Sequence, residues 1–215
     1  MRLDVPGAIM ALFACATAAA AQTPFERQVL VALNAARTDP AAYAAGLKRY
    51  RTYFHGKLVH YPGADAEMET DEGVAVVDEA IAFLGHRAPL APVAAAPLLA
   101  ASAADLVADQ AQGGTGHESK DGSTPSDRAR RQGGGDFIAE VIAYGPIDAA
   151  DVVRQLIIDD GVADRGHRGI LYSPELRFAG VACGPHPEYR TMCVIDLSAT
   201  QDGRAPAGRP ARIPR

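Results

Sequence analysis

Four side chains stand in settings where their chemistry could matter: His117 in GHESKDG, Glu140 in FIAEVIAY, Asp159 at the end of VVRQLIIDD, and His167 in RGHRG. Neutral imidazole binds borderline metal ions and titrates near neutrality, and carboxylates supply the remaining oxygen ligands. Two histidines and two carboxylates are therefore enough for one divalent ion, zinc or magnesium. They are equally enough for an acid/base arrangement in which His117, Glu140 and His167 are the candidate catalytic groups. Glu140 lies among apolar neighbours, where an ionised carboxylate needs a cation, an imidazole or other donors if it is buried. Period 2 also leaves it a place on a solvent face, shared with Ile138 and Ile142. The glycines beside both histidines let the backbone turn tightly and project each ring from a loop.

Other local patterns carry less. There is no HExxH, and Ser119 beside Glu118 and His117 lacks the G-x-S-x-G turn of a serine hydrolase. Gly133-Gly134-Gly135 has no Lys-Ser/Thr after it and reads as a turn rather than a phosphate loop. Arg128, Arg130 and Arg131 read as a solvated helix face, and His55, His60, His86 and His186 as ordinary surface groups.

The elements that must position these groups follow from spacing and caps. Phe25, Val29 and Leu33 recur every four residues up to Thr38-Asp39-Pro40, where Asp39 can cap and Pro40 start a second helix through Tyr43, Leu47 and Tyr50. Residues 54–69 read as loop or short extended pieces. Thr70-Asp71-Glu72 is expected to open a helix carrying Val74, Val77, Ile81 and Leu84. Pro97 starts another, ended by Gly113-Gly114, and a short helix is expected over Pro125 to Arg131. Asp136 to Tyr144 reads as a strand, and Asp148 with Asp151 caps a helix that stops near Gly161. Arg177 to Cys183 and Arg190 to Leu197 form a hairpin. Helices first, then strands with one helix among them, give an α+β fold with helices on an antiparallel sheet.

With 215 residues, 48% hydrophobic, the chain is long enough for one sizeable core. Its net charge of −5 excludes a positive field for nucleic acid or anionic lipid surfaces. Residues 1–21 have the layout of a secretory signal peptide, with Ala19 and Ala21 at the cleavage site; the apolar run is too short for a transmembrane segment. Cys15 offers a lipoprotein alternative. The expected location is thus secreted or periplasmic. Cleavage leaves Cys183 and Cys193, which flank a Gly-Pro-His-Pro turn and are expected to form a disulfide. The Pro/Arg-rich residues 200–215 read as a disordered tail.

Taken in order, LVALNAARTDPAAY, PLLAASAADLVADQ, GHESKDGSTPSDRAR, FIAEVIAYG, DVVRQLIIDDGVADRGHRGIL and FAGVACG…YRTMCVIDLS resemble the CAP superfamily, the domain of cysteine-rich secretory proteins, antigen 5 and pathogenesis-related 1 proteins. The resemblance covers most of residues 22–199. It implies a three-layer α/β/α sandwich and a cleft lined by two histidines and two acidic residues, associated in some members with zinc or another divalent ion. His117, Glu140 and His167 match three of these positions, and Asp159 matches the fourth if Leu156 takes the place of the family's helical Trp. Val141 stands where the family has Asn, and Asp159 is one methylene shorter than Glu. Residues 55–93 form an extra segment that could cover the cleft or meet a partner.

Members of that family include lipid and sterol binders, toxins, defence proteins and hydrolases, so fold transfers further than function. The absence of a recognisable nucleophile, with the binding roles found in that family and the leader at residues 1–21, favours a monomeric, exported, non-enzymatic binding module for a lipid or cell-envelope component. The alternatives are a metal-assisted or acid/base extracellular hydrolase and a secreted effector or adhesion protein.

Overall fold

The computed structural model describes residues 22–63, 65–146, 148–206 and 208. The expected signal peptide, with Cys15, lies outside them. Thr23 opens α1 (Pro24–Thr38) with a reciprocal cap: its hydroxyl accepts from the Glu26 N–H, while the Glu26 carboxylate accepts from the Thr23 N–H. Asp39 ends this helix and caps α2 (Pro40–Arg51) by accepting from the Ala42 N–H. Three two-residue strands follow, β1 (Phe54–His55), β2 (Leu58–Val59) and β3 (Met68–Glu69), paired antiparallel in chain order. Helix α3 (Val74–Gly85) starts at Gly73, whose φ of 71° suits glycine, and has no side-chain cap. The expected opening at Thr70-Asp71-Glu72 is thus displaced, because Glu72 is drawn to a basic loop elsewhere.

The main sheet has the order β4-β6-β7-β5, from β4 (Ala94–Ala95), β5 (Ala139–Tyr144), β6 (Phe178–His186) and β7 (Arg190–Ser198). Only β4 is parallel to its neighbour. Alternation along the strands divides their side chains between two cores. Val141, Val181, Ile195 and Leu197 face the cluster built with α1, α2, α3 and α6 (Ala149–Ile158). Ile142, Ala182 and Val194 instead meet Ala103, Leu106 and Val107 of α4 (Pro97–Gln110). Helices therefore cover both faces of the sheet, and the fold is α+β. At Gly180 α4 comes so close that a Cβ would sit 1.9 Å from the Ala100 nitrogen.

Cys183 and Cys193 are register partners on the β6–β7 hairpin and are joined by a disulfide. His186, read from sequence as a surface group, is 2% exposed; Nε2 meets the Gly114 carbonyl, and the turn donors at Glu188 and Tyr189 reach Nδ1. Past Ala199, where composition placed a disordered tail, the carbonyls of Asp202 and Gly203 accept from the N–H groups of Gly135 and Phe137. Among the described residues no helix is long and apolar enough to cross a membrane.

Candidate functional site

Period 2 puts Glu140 on the α4 face of the sheet with Ile138 and Ile142, and that face is covered. Its side chain is 1% exposed, so the solvent-facing alternative is excluded. The compensating cation is Arg128 of α5 (Pro125–Arg131), a helix started by a Thr124–Asp127 capping box. Arg130 and Arg131 do face solvent, but Arg128 has no exposure at all. One guanidinium nitrogen donates to Glu140 Oε2, and the other donates to the carbonyls of His117 and Ser123 and to Ser119 Oγ. The 117–123 loop is thereby wrapped around a buried charge. Upstream, the Gly116 N–H donates to the Tyr144 hydroxyl and its carbonyl accepts from Gln110. The result is a fixed His117 ring whose Nδ1 is 2.9 Å from Glu140 Oε1.

The second histidine is held in a parallel manner. Helix α6 stops at Ile158, and Asp159 takes the left-handed conformation at φ 61°, folding its carboxylate over the start of α7 (Gly166–Leu171). Oδ1 lies 2.6 Å from His167 Nδ1, and Oδ2 accepts from the Arg168 N–H. The shorter acid reaches the imidazole because the backbone, rather than an extra methylene, supplies the reach. His167 thus projects from the first turn of a short helix, not from a loop.

Residues 71–79 support this half of the site. Arg165 donates to Glu72 and Glu79, and Arg168 donates to Glu79 and to the carbonyls of Ile157 and Ile158. Asp160 accepts from the N–H groups of Asp71 and Glu72. Arg165, with the Gly161 N–H, holds the Glu72 carboxyl down at about 2. Residues 71–79 therefore staple the 159–168 loop.

The two pairs adjoin, with imidazole centroids 6.4 Å apart and planes inclined at 42°. Each ring uses Nδ1 on a carboxylate, and neither Nε2 has a hydrogen-bond partner among the described residues. All four expected side chains are brought together, as two imidazoles with a carboxylate behind each rather than as four groups converging on a point. Among the described residues no three His, Cys, Asp or Glu side chains are arranged to hold a metal ion. Two imidazole nitrogens remain as direct donors. A tetrahedral zinc ion with Zn–N near 2.0–2.1 Å would hold two ring centroids about 5 Å apart. The observed 6.4 Å is wider than that, so a shared ion needs the two rings to close up.

Beside Glu140, on the neighbouring strand, lies a further acid without an obvious signal in the sequence. Asp196 is its register partner on β7, fully buried, and neither carboxyl oxygen has a well-formed hydrogen bond; the Ser102 hydroxyl is in the same condition. Burial first, and then the Glu140 charge, push the Asp196 carboxyl well above its ordinary value. In the unfolded chain this group loses its proton near pH 4, while the folded protein retains it, so stability falls as pH rises through that window. Asp196→Asn should remove this fall, which is worth at most about 1.4 kcal/mol per pH unit, one proton's share. Urea unfolding of both proteins between pH 4 and 8 measures it. Parallel curves would show that Asp196 does not carry the linkage.

No protein-family model matches this chain, and neither a curated protein nor a solved structure matches it.

Proposed function

We propose that this protein is an exported binding module of the CAP type, in which His117 and His167 together seat a zinc-like divalent ion beside a cleft for a lipid or other envelope component. The observation that supports this most is the pair of Nδ1-anchored imidazoles with unpartnered Nε2 atoms. A carboxylate behind a ligating histidine fixes its tautomer and orientation and raises its basicity. Two imidazoles prefer zinc to magnesium, which takes oxygen ligands and holds its water tightly. Magnesium therefore drops out of the pair of ions suggested by residue type alone. Once bound, the ion would bring positive charge and an open coordination position to which a ligand oxygen can bind. The sandwich implied by the CAP resemblance accords with helices on both faces of the sheet. The disulfide and the leader-like residues 1–21 support a route through an oxidising compartment.

Zinc titration of metal-stripped protein by calorimetry tests the reading. One equivalent should bind, and His117→Ala and His167→Ala should each abolish or nearly abolish the heat. Glu140→Gln and Asp159→Asn should weaken binding about 10- to 100-fold, as loss of a buttressing carboxylate does. Zinc binding that is indifferent to both histidines would sink the proposal.

The same dyads favour one second reading, acid/base hydrolysis, because a carboxylate-oriented imidazole with its far nitrogen open is the arrangement of a general base. Turnover of an envelope polymer that disappears in His167→Ala while zinc binding is unnecessary would favour it over the binding role.

A further inference from the structure

A cavity of about 550 Å³ opens between residues 68–71, α6 and the end of the sheet. Its aromatic walls come from four separate places: Tyr50 at the end of α2, Phe54 on β1, Tyr144 at the end of β5, and Tyr189 in the β6–β7 turn. Tyr189 is 40% exposed, and the neighbouring Met68 is 45% exposed. Its charge is one-sided. The single basic group on the wall, Arg154, is spent on Asp151 at 2.6 Å. Glu69 and Asp71 make no ion pair among the described residues, and Asp160 is met only by backbone N–H groups. The Tyr50 ring is taken by the Arg154 guanidinium, 4.6 Å from its centroid, which leaves Phe54, Tyr144 and Tyr189 for a ligand.

We infer that this cavity binds an organic cation with an apolar body, an alkyl or quaternary ammonium group. Aromatic faces attract a desolvated cation through the ring quadrupole, and the enrichment is strongest where several rings share a pocket. Unpaired carboxylates at the rim add a long-range attraction and repel anionic ligands of the same size. A purely apolar ligand would gain from the rings but nothing from Glu69 and Asp71. A sugar could stack on Tyr189, yet it has no charge for these acids to meet. The site needs neither His117 nor His167, so it goes beyond the metal-seat reading and stands or falls separately.

Choline is the probe, with 3,3-dimethylbutan-1-ol as its uncharged isostere. Titration of the full chain, followed by tyrosine fluorescence and calorimetry, should show saturable choline binding at about millimolar concentration or below and at least about tenfold weaker binding of the alcohol. Tyr189→Ala should weaken choline about fivefold or more, as should Glu69→Gln with Asp71→Asn, and the acid double variant should also lose most of the salt dependence. These positions are exposed, so folding is checked by an unchanged thermal transition. His117→Ala should bind choline as the parent does. Phosphatidylcholine vesicles and free choline then distinguish a lipid headgroup from a free solute as the source of the same chemistry. Equal binding of choline and its neutral isostere would overturn the inference, and so would a preference for lysine-rich peptides over choline.

Discussion

Arg128→Ala is expected to cost about 3–5 kcal/mol of folding stability, the range seen when one partner of a buried ion pair is removed. The guanidinium is fully buried, and it serves Glu140, Ser119 and two loop carbonyls at once. Without it a buried carboxylate retains only His117, and the carbonyls of His117 and Ser123 lose a donor. The attraction within the pair is not by itself the main term, since desolvating two charges offsets most of it. The cost comes from leaving one charge behind. Arg128→Met combined with Glu140→Leu should therefore recover most of the loss in urea denaturation, while leaving His117 unanchored and zinc binding weak. A loss below about 1 kcal/mol in the single variant would mean that Glu140 is not held as described.

Arg168→Ala is expected to cost about 2–6 kcal/mol, from two buried carbonyls each worth about 1–3 kcal/mol when unsatisfied. Those carbonyls, of Ile157 and Ile158, are the free acceptors at the end of α6, where a cation is also favoured by the helix dipole. The outer partner matters much less. Glu79 is 47% exposed, so its ion pair with Arg168 is worth about 0–1 kcal/mol, and Glu79→Gln should be close to neutral. Arg168→Ala keeps the backbone N–H that donates to Asp159 Oδ2, so zinc affinity should fall only as far as the loosened end of α6 lets Asp159 and His167 shift. Equal losses in Arg168→Ala and Glu79→Gln would show that the exposed ion pair, not the helix end, is what Arg168 provides.

Much of the scaffold was legible because local rules decide it. Asp39-Pro40, Pro97, Pro125 and Asp148 mark helix starts through caps and fixed φ, and the structure has helices beginning at or beside each. The strand order of apolar residues and the hairpin cysteines are likewise local. Asp71 and Glu72 misled for the opposite reason. Their charge suits a helix start, but a chelating Arg165 some ninety residues later outcompetes the dipole for Glu72.

His117, Glu140, Asp159 and His167 could be nominated from residue type and setting, and the ordered motifs of the CAP resemblance joined them into one set. What residue type could not supply was their division of labour. Alternation along β5 is the same whether Glu140 meets water or α4, so only the helix packed above the sheet makes it a buried carboxylate. Arg128, Arg130 and Arg131 are indistinguishable as a charge run, and only a strand twelve residues on turns Arg128 inward. The sequence by itself determined where the capped and proline-started helices begin, which cysteines pair across the hairpin and which titratable groups sit in unusual surroundings, because those depend on neighbours within a few residues. Tertiary structure alone decided that both carboxylates stand behind their imidazoles, that Asp196 lies beside Glu140 and that residues 71–79 staple the Asp159 loop. These depend on desolvation and on partners far away in the chain, which no local pattern encodes.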